Sequence, residues 1–210
     1  MLKILIADDH PIVRQGLKQI IADSHDMAVV DEATNGWEVL GKVRASDCDV
    51  VLLDIAMPGK DGLDVLTQLK HENPRLPVLM LSMYPEEQFA IRALRAGASG
   101  YVTKESAPDE LVGAIRKVST GGKYVSPALA EKLALDLQSA GKQPPHETLS
   151  DREYQVMCLI ASGKTVTGIA HELSLSVKTI STYRYRILDK MQLKNNAELT
   201  HYAVKNGLIC

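Results

Sequence analysis

Three carboxylates, a hydroxyl and an ammonium recur at spacings that suit phosphoryl transfer. Val50-Val51-Leu52-Leu53 runs straight into Asp54, and Pro58-Gly59 breaks the chain shortly after. An apolar run bounded by turn residues fits a strand buried on both faces, with Asp54 at its carboxyl end. Leu2 to Ala7 is a second such run, and it ends in Asp8-Asp9. In open parallel sheets that edge is where ligands bind. Acids meeting there repel one another unless a cation with oxygen ligands, such as Mg2+ (or Mn2+), lies between them. Asp54 is then a candidate nucleophile, because a carboxylate accepts a phosphoryl group when its surroundings stabilise that group's charge. Ser82 closes a fourth apolar run and offers a hydroxyl to one phosphoryl oxygen. Lys104 follows a fifth run and can pair with another oxygen as a point charge.

Each of these residues also has an ordinary use. An acid pair is commonly a turn or a helix cap, a serine at a strand end a turn former, and a lone lysine simply solvated. Their coincidence is what favours a site: they end strands 1, 3, 4 and 5 on one edge.

The elements that must hold them there alternate. Strand-like runs fall at 2–7, 27–31, 49–54, 77–82 and 100–102. Helix-like segments fall near 11–23, 35–45, 61–72, 86–97 and 108–119, with Pro11 and Pro108 at first turns. In the first helix Val13, Leu17, Ile20 and Ile21 recur at helical spacing and face the sheet. Five β/α repeats predict an α/β doubly wound five-stranded parallel sheet with right-handed crossovers. In the order 2-1-3-4-5, strands 1 and 3 flank the switch point, and Asp8, Asp9 and Asp54 converge there.

Charge divides the chain. Residues 1–120 hold 13 Lys/Arg against 18 Asp/Glu, whereas residues 148–210 hold 8 against 5. An acidic front and a basic back suggest two domains with different partners. Cys48, Cys158 and Cys210 show no metal or redox spacing, which fits a reducing cytoplasm. No apolar run approaches the ~18 residues of a membrane span, and the chain enters a strand at once, leaving no room for a signal peptide. Phe and Trp occur once each, so the core must be aliphatic.

Residues 127–138 can form one more helix, and the polar, Pro-rich run at 138–146 reads as a linker. The back half is expected to be a small all-α domain of four helices. Ser150-Asp151-Arg152-Glu153 is a capping box, and Gly163 ends the helix it starts. A second helix at 165–173 and a third from Ser176 to Met191 are joined by a tight turn, the helix-turn-helix pattern. In the third helix Ile180, Ile187, Leu188 and Met191 form an apolar stripe. Lys178, Ser181, Thr182 and Tyr185 lie opposite, flanked by Arg184, Arg186 and Lys190. Polar readers beside cations suit a major groove, the cations on phosphates and Ser181, Thr182 and Tyr185 at base edges. An ordinary solvated helix has much the same pattern.

Asp8-Asp9, Asp54 with Met57-Pro58 and Asp61-Gly62, Ser82, and Tyr101-Val102-Thr103-Lys104 together resemble the receiver domain of two-component response regulators, over residues 1–120. Leu149 to Glu153, Gly163-Lys164, Ile169-Ala170, Leu173, Ser176 to Ile180 and Lys190-Met191 resemble the LuxR-type DNA-binding domain, over residues 148–209 of a domain placed at 148–210. Jointly they resemble the NarL/FixJ class, with residues 121–147 as helix and linker. The resemblance implies a flavodoxin-like receiver fold with Asp54 as phosphoacceptor. Asp9, Asp54 and the Ala56 carbonyl are implied as Mg2+ ligands, with Asp8 acting through water. It implies Lys104 and Ser82 on the phosphoryl group, and Tyr101 as an aromatic switch that turns inward. Lys178, Thr179, Ser181, Thr182, Arg184, Tyr185, Arg186 and Lys190 are implied at DNA. The implied partners are a sensor histidine kinase, double-stranded DNA and a second copy of the chain, paired through the last helix. Leu199, Tyr202 and Ala203 are either that pairing face or core.

The class implied is a transcription regulator, not an enzyme. A Mg2+-dependent phosphatase would need a second acid two residues after Asp54, where Ala56 stands. A protein-binding adaptor is the other alternative, and the cations around Tyr185 argue against it. Two departures from the family pattern stand out. Gly168 replaces a polar helix former, and Ser181 and Thr182 replace the usual Lys or Val.

Overall fold

The computed structural model describes residues 1–127, 129–131, 133 and 144–209. The chain divides into two compact units, Met1–Leu133 and Ala134–Cys210. Most of the helix expected at 127–138, and residues 138–143 of the linker expected at 138–146, lie outside the described residues; the linker's last two residues open a 3-10 turn.

The first unit alternates strand and helix as the apolar runs require. Its elements are β1 (Leu2–Ala7), α1 (Pro11–Ala22), β2 (Met27–Ala33), α2 (Gly36–Ala45), β3 (Val50–Asp54), α3 (Gly62–Glu72), β4 (Val78–Ser82), α4 (Glu86–Arg95), β5 (Gly100–Thr103) and α5 (Ala107–Ser119). The five strands are all parallel, in the order β2-β1-β3-β4-β5. Every residue of β3 and β4 is buried, which is why these runs carry no alternation. Beneath the sheet Leu17 and Ile21 of α1 pack with Leu111, Ala114, Ile115 and Val118 of α5.

Two boundaries differ from expectation for physical reasons. Strand β2 runs on to Ala33 although Asp31 and Glu32 are polar, because it is an edge strand whose acids meet Lys42, Lys18 and Arg14. A register shift beside Leu5 accommodates the extra residue. Helix α4 stops at Arg95, since Gly97 takes φ +101° and turns the chain back towards β5.

The second unit opens with a 3-10 turn, Pro145–Thr148, followed by α6 (Asp151–Ala161), α7 (Val166–Glu172), α8 (Val177–Lys190) and α9 (Asn196–Lys205). All four helices are capped by a side chain: Ser150, Thr165, Ser176 and Asn195 each accept from the backbone N–H three residues on. Such a cap contributes about 1 kcal/mol. Gly168 is that third residue in α7, so it sits in the first turn and not mid-helix. Gly163, at φ +84°, ends α6, and Ser174, at φ 52°, makes the tight turn between α7 and α8. Leu199 and Ala203 have no exposed surface, and the Tyr202 hydroxyl meets His146 Nδ1 at 2.8 Å. Leu199 and Ala203 are therefore core, while Tyr202 remains half-buried.

Candidate functional site

The carboxyl ends of β1, β3 and β5 gather Asp8, Asp54 and Lys104 into one buried cluster. Lys104 Nζ lies 2.7 Å from Asp8 Oδ2 and 2.8 Å from Asp54 Oδ2, with all three side chains nearly inaccessible. Each carboxylate is steered by its own backbone. The His10 N–H donates to Asp8 Oδ1 at 2.8 Å, and the Ala56 N–H donates to Asp54 Oδ1 at 3.3 Å. The second oxygens are thereby turned towards the lysine. The Lys104 N–H donates to the Ser82 carbonyl at 2.8 Å, which fixes the loop beside the end of β4.

Asp61 and Gly62 shape the floor. Asp61 Oδ1 accepts from the Leu63 N–H at 2.8 Å and caps α3. A Cβ on Gly62 would lie 2.0 Å from the Asp54 carbonyl oxygen, so only glycine lets α3 start this close to β3.

Burial decides the electrostatics. It pushes the Asp54 carboxyl up to about 6; Lys104 pulls the other way and Asp8 adds to the push. Burial works against charge on Lys104, but Asp54 and Asp8 outweigh it and raise its pKa. One ammonium thus faces an excess of carboxylates.

One ligand atom from each of Asp8, Asp9, His10 and Asp54 lies within 4.8 Å of the others. Hard oxygen donors and net negative charge fit a divalent cation of the Mg2+ kind. His10 was not anticipated. Its Nδ1 stands 2.8 Å from Asp9 Oδ1 and 3.4 Å from Asp8 Oδ1. The only hint in the sequence is that it directly follows the acid pair.

Ser82 and Tyr101 both bond to Tyr84, whose side chain gives no hint of this role in the sequence. Ser82 Oγ accepts from the Tyr84 N–H at 3.0 Å, and the Tyr101 hydroxyl donates to the Tyr84 carbonyl at 2.8 Å. The Tyr101 ring is fully buried, already turned inward, and burial raises its hydroxyl pKa.

In the second unit α8 presents Lys178, Ser181, Thr182, Tyr185 and Arg186 to solvent, with Tyr185 71% exposed. The Ser181 and Thr182 hydroxyls donate to the carbonyls of Val177 and Lys178, both at 2.9 Å, leaving their oxygens as acceptors. Thr179, Arg184 and Lys190 are already engaged within the unit. Thr179 Oγ1 lies 2.8 Å from Ser176 Oγ. Arg184 Nε donates to Asn196 Oδ1 at 2.7 Å, and Lys190 Nζ is 2.6 Å from Glu153 Oε2.

Residues 4–116 match the response regulator receiver domain, and residues 147–203 match the bacterial regulatory proteins of the luxR family. The chain is 39% identical over 210 residues to the response regulator GacA of Pseudomonas aeruginosa, covering 100% of this chain and 98% of that one. It is 36% identical over 209 residues to the response regulator UvrY of Shigella flexneri, covering 99% and 96%. Among solved structures, RcsB of Salmonella enterica serovar Typhimurium, bound to promoter rprA with a phosphomimetic, is similar at a TM-score of 0.66. That pair shares 29% identity over 96% of this chain and 97% of that one. An acid cluster with its lysine at one sheet edge, and a capped helix-turn-helix in a separate unit, agree with both matches. The chain belongs to the two-component response regulators of the NarL/FixJ class, a receiver domain followed by a luxR-family DNA-binding domain.

Proposed function

We propose that Asp54 accepts a phosphoryl group from a sensor histidine kinase in the cytoplasm, and that this controls how the second unit engages promoter DNA. The observation that carries the reading is Lys104 between Asp8 and Asp54, at 2.7 and 2.8 Å. A carboxylate oxygen of Asp54 attacks phosphorus in line, an O–P bond forms, and the bond to the donor's imidazole nitrogen breaks. Lys104 then pairs with a phosphoryl oxygen, and the Ser82 hydroxyl takes another. Asp9, Asp54 and the Ala56 carbonyl would hold Mg2+ directly, with Asp8 acting through water. The ion would neutralise charge on the transferring group. Phosphorylation adds roughly −1.5 to −2 charge at one point, and only contacts that differ between the two states can shift their populations.

In the second unit α8 enters the major groove. Lys178 and Arg186 meet phosphates, while Ser181, Thr182 and Tyr185 meet base edges. RcsB is solved as dimers on DNA, and the same pairing is proposed for this chain. The receiver domain is placed at 1–120, the helix and linker at 121–147 and the DNA-binding domain at 148–210. Labelling by acetyl phosphate with Mg2+ tests the acceptor. Asp54→Ala abolishes it; label that persists in the variant assigns a different acceptor.

A further inference from the structure

Strand β5 is the last of its sheet, so among the described residues one of its edges has no neighbouring strand. Such edges are normally covered, and here residues 122–126, beyond α5, cover it. Tyr124 forms a parallel bridge to Gly100, and its N–H donates to the Ser99 carbonyl at 2.9 Å. The approach requires glycine, because a Cβ on Gly100 would lie 2.6 Å from the Tyr124 carbonyl oxygen. The Tyr124 hydroxyl donates to Glu110 Oε2 at 2.9 Å, and Lys117 Nζ stands 5.8 Å from its ring centre. Two residues later the Ser126 hydroxyl donates to Glu86 Oε2 while accepting from the Leu129 N–H at 3.1 Å. The strap is therefore sewn to α5, to β5 and to the first residue of α4.

Its far end reaches the switch loop. Glu86 lies two residues after Tyr84, whose N–H holds Ser82 and whose carbonyl holds Tyr101. If Ser82 leaves Tyr84 for a phosphoryl oxygen, the short loop between β4 and α4 loses that tie. Glu86 is at its end.

We propose that Tyr124 and Ser126 are positioning residues for the phosphorylation switch. The strap holds the loop after β4 in the arrangement that keeps Ser82 on Tyr84, and phosphorylation loosens it. This rests on the reading of Asp54 as phosphoacceptor. Coupling is reciprocal: a group that loosens the strap binds more tightly once the strap is cut. The receiver's signal then leaves at residue 126, inside the segment that leads to the DNA-binding unit.

The test is calorimetric titration of the full chain with beryllofluoride and Mg2+, alongside thermal melts. Ser126→Ala and Tyr124→Phe each tighten binding, by about fivefold or more on the usual scale of coupling. Ser126→Thr, which keeps the hydroxyl, binds as the wild type does. Unchanged affinity in folded Ser126→Ala and Tyr124→Phe overturns the proposal, as does equal tightening in Ser126→Thr. A wild-type chain that neither binds beryllofluoride nor takes label from acetyl phosphate overturns the phosphoacceptor reading instead.

Discussion

Placing a carboxylate at the buried end of β3 costs folding free energy that Lys104 returns only in part. The Asp54 carboxyl rises from an ordinary 3.8 to about 6, chiefly through burial. A raised carboxyl pKa means that the folded state disfavours the charged form. The penalty is absent below the unfolded pKa, grows as pH rises towards 6, and is complete above it. A shift of this size corresponds to about 2–3 kcal/mol. Asp54→Asn removes the charge, keeps the shape, and leaves Lys104 paired with Asp8. The variant should therefore melt several degrees higher than the wild type at pH 7.5, with the gain shrinking towards pH 4. Equal melting temperatures at pH 7.5 would sink the account. Most of this cluster was legible in the sequence, because a buried parallel strand has only one place to put an acid. Tyr84 was not legible. It acts through its backbone N–H and carbonyl, which every residue type except proline carries, so no side chain announces it.

At the scale of elements, α8 does two jobs with similar residues. Of the readable stripe Ile180, Ile187, Leu188 and Met191, all but the half-buried Leu188 are buried as expected. The division among the cations was not readable, because it depends on what α6 and α9 bring alongside. Asn196 at the start of α9 captures Arg184, and Glu153 in the α6 capping box captures Lys190. Arg186, two residues from Arg184, points to solvent. The same substitution should thus have different effects at neighbouring positions. Arg184→Ala lowers the melting temperature of the second unit, since a side-chain hydrogen bond contributes about 1 kcal/mol. Arg186→Ala leaves the melt unchanged and weakens DNA binding in a gel shift. A melt lowered equally by both would show that the two side chains are equivalent. Leu199 and Ala203 carry the same lesson. An apolar pair on a terminal helix is either core or interface, and only the packing of α9 on its neighbours decides between them.

For the whole molecule, charge is segregated between units that meet different partners. The first unit concentrates acids around one lysine, which suits a cation and a phosphoryl group. The second carries 8 Lys/Arg against 5 Asp/Glu over residues 148–210, and Arg152, Lys164, Arg184 and Lys190 are already committed internally. The uneven charge along the chain pointed to two units from sequence alone, while the division itself falls after Leu133, ahead of the Pro-rich run. How a signal passes between them was not legible, because Tyr124 and Ser126 are unremarkable until Gly100 and Glu86 are placed beside them. The electrostatics of DNA binding should accordingly reside in few residues. Each phosphate contact released changes the slope of log affinity against log salt by about 1. Lys178→Ala and Arg186→Ala should each reduce that slope by about one and weaken binding to all sequences alike. Lys104→Ala should leave the slope of the unphosphorylated chain unchanged, since its charge is spent on Asp8 and Asp54. It should nevertheless remove the response of DNA binding to acetyl phosphate. A salt slope that moves with Lys104→Ala would mean that the receiver itself touches the duplex, and the separation of tasks argued from charge would fail.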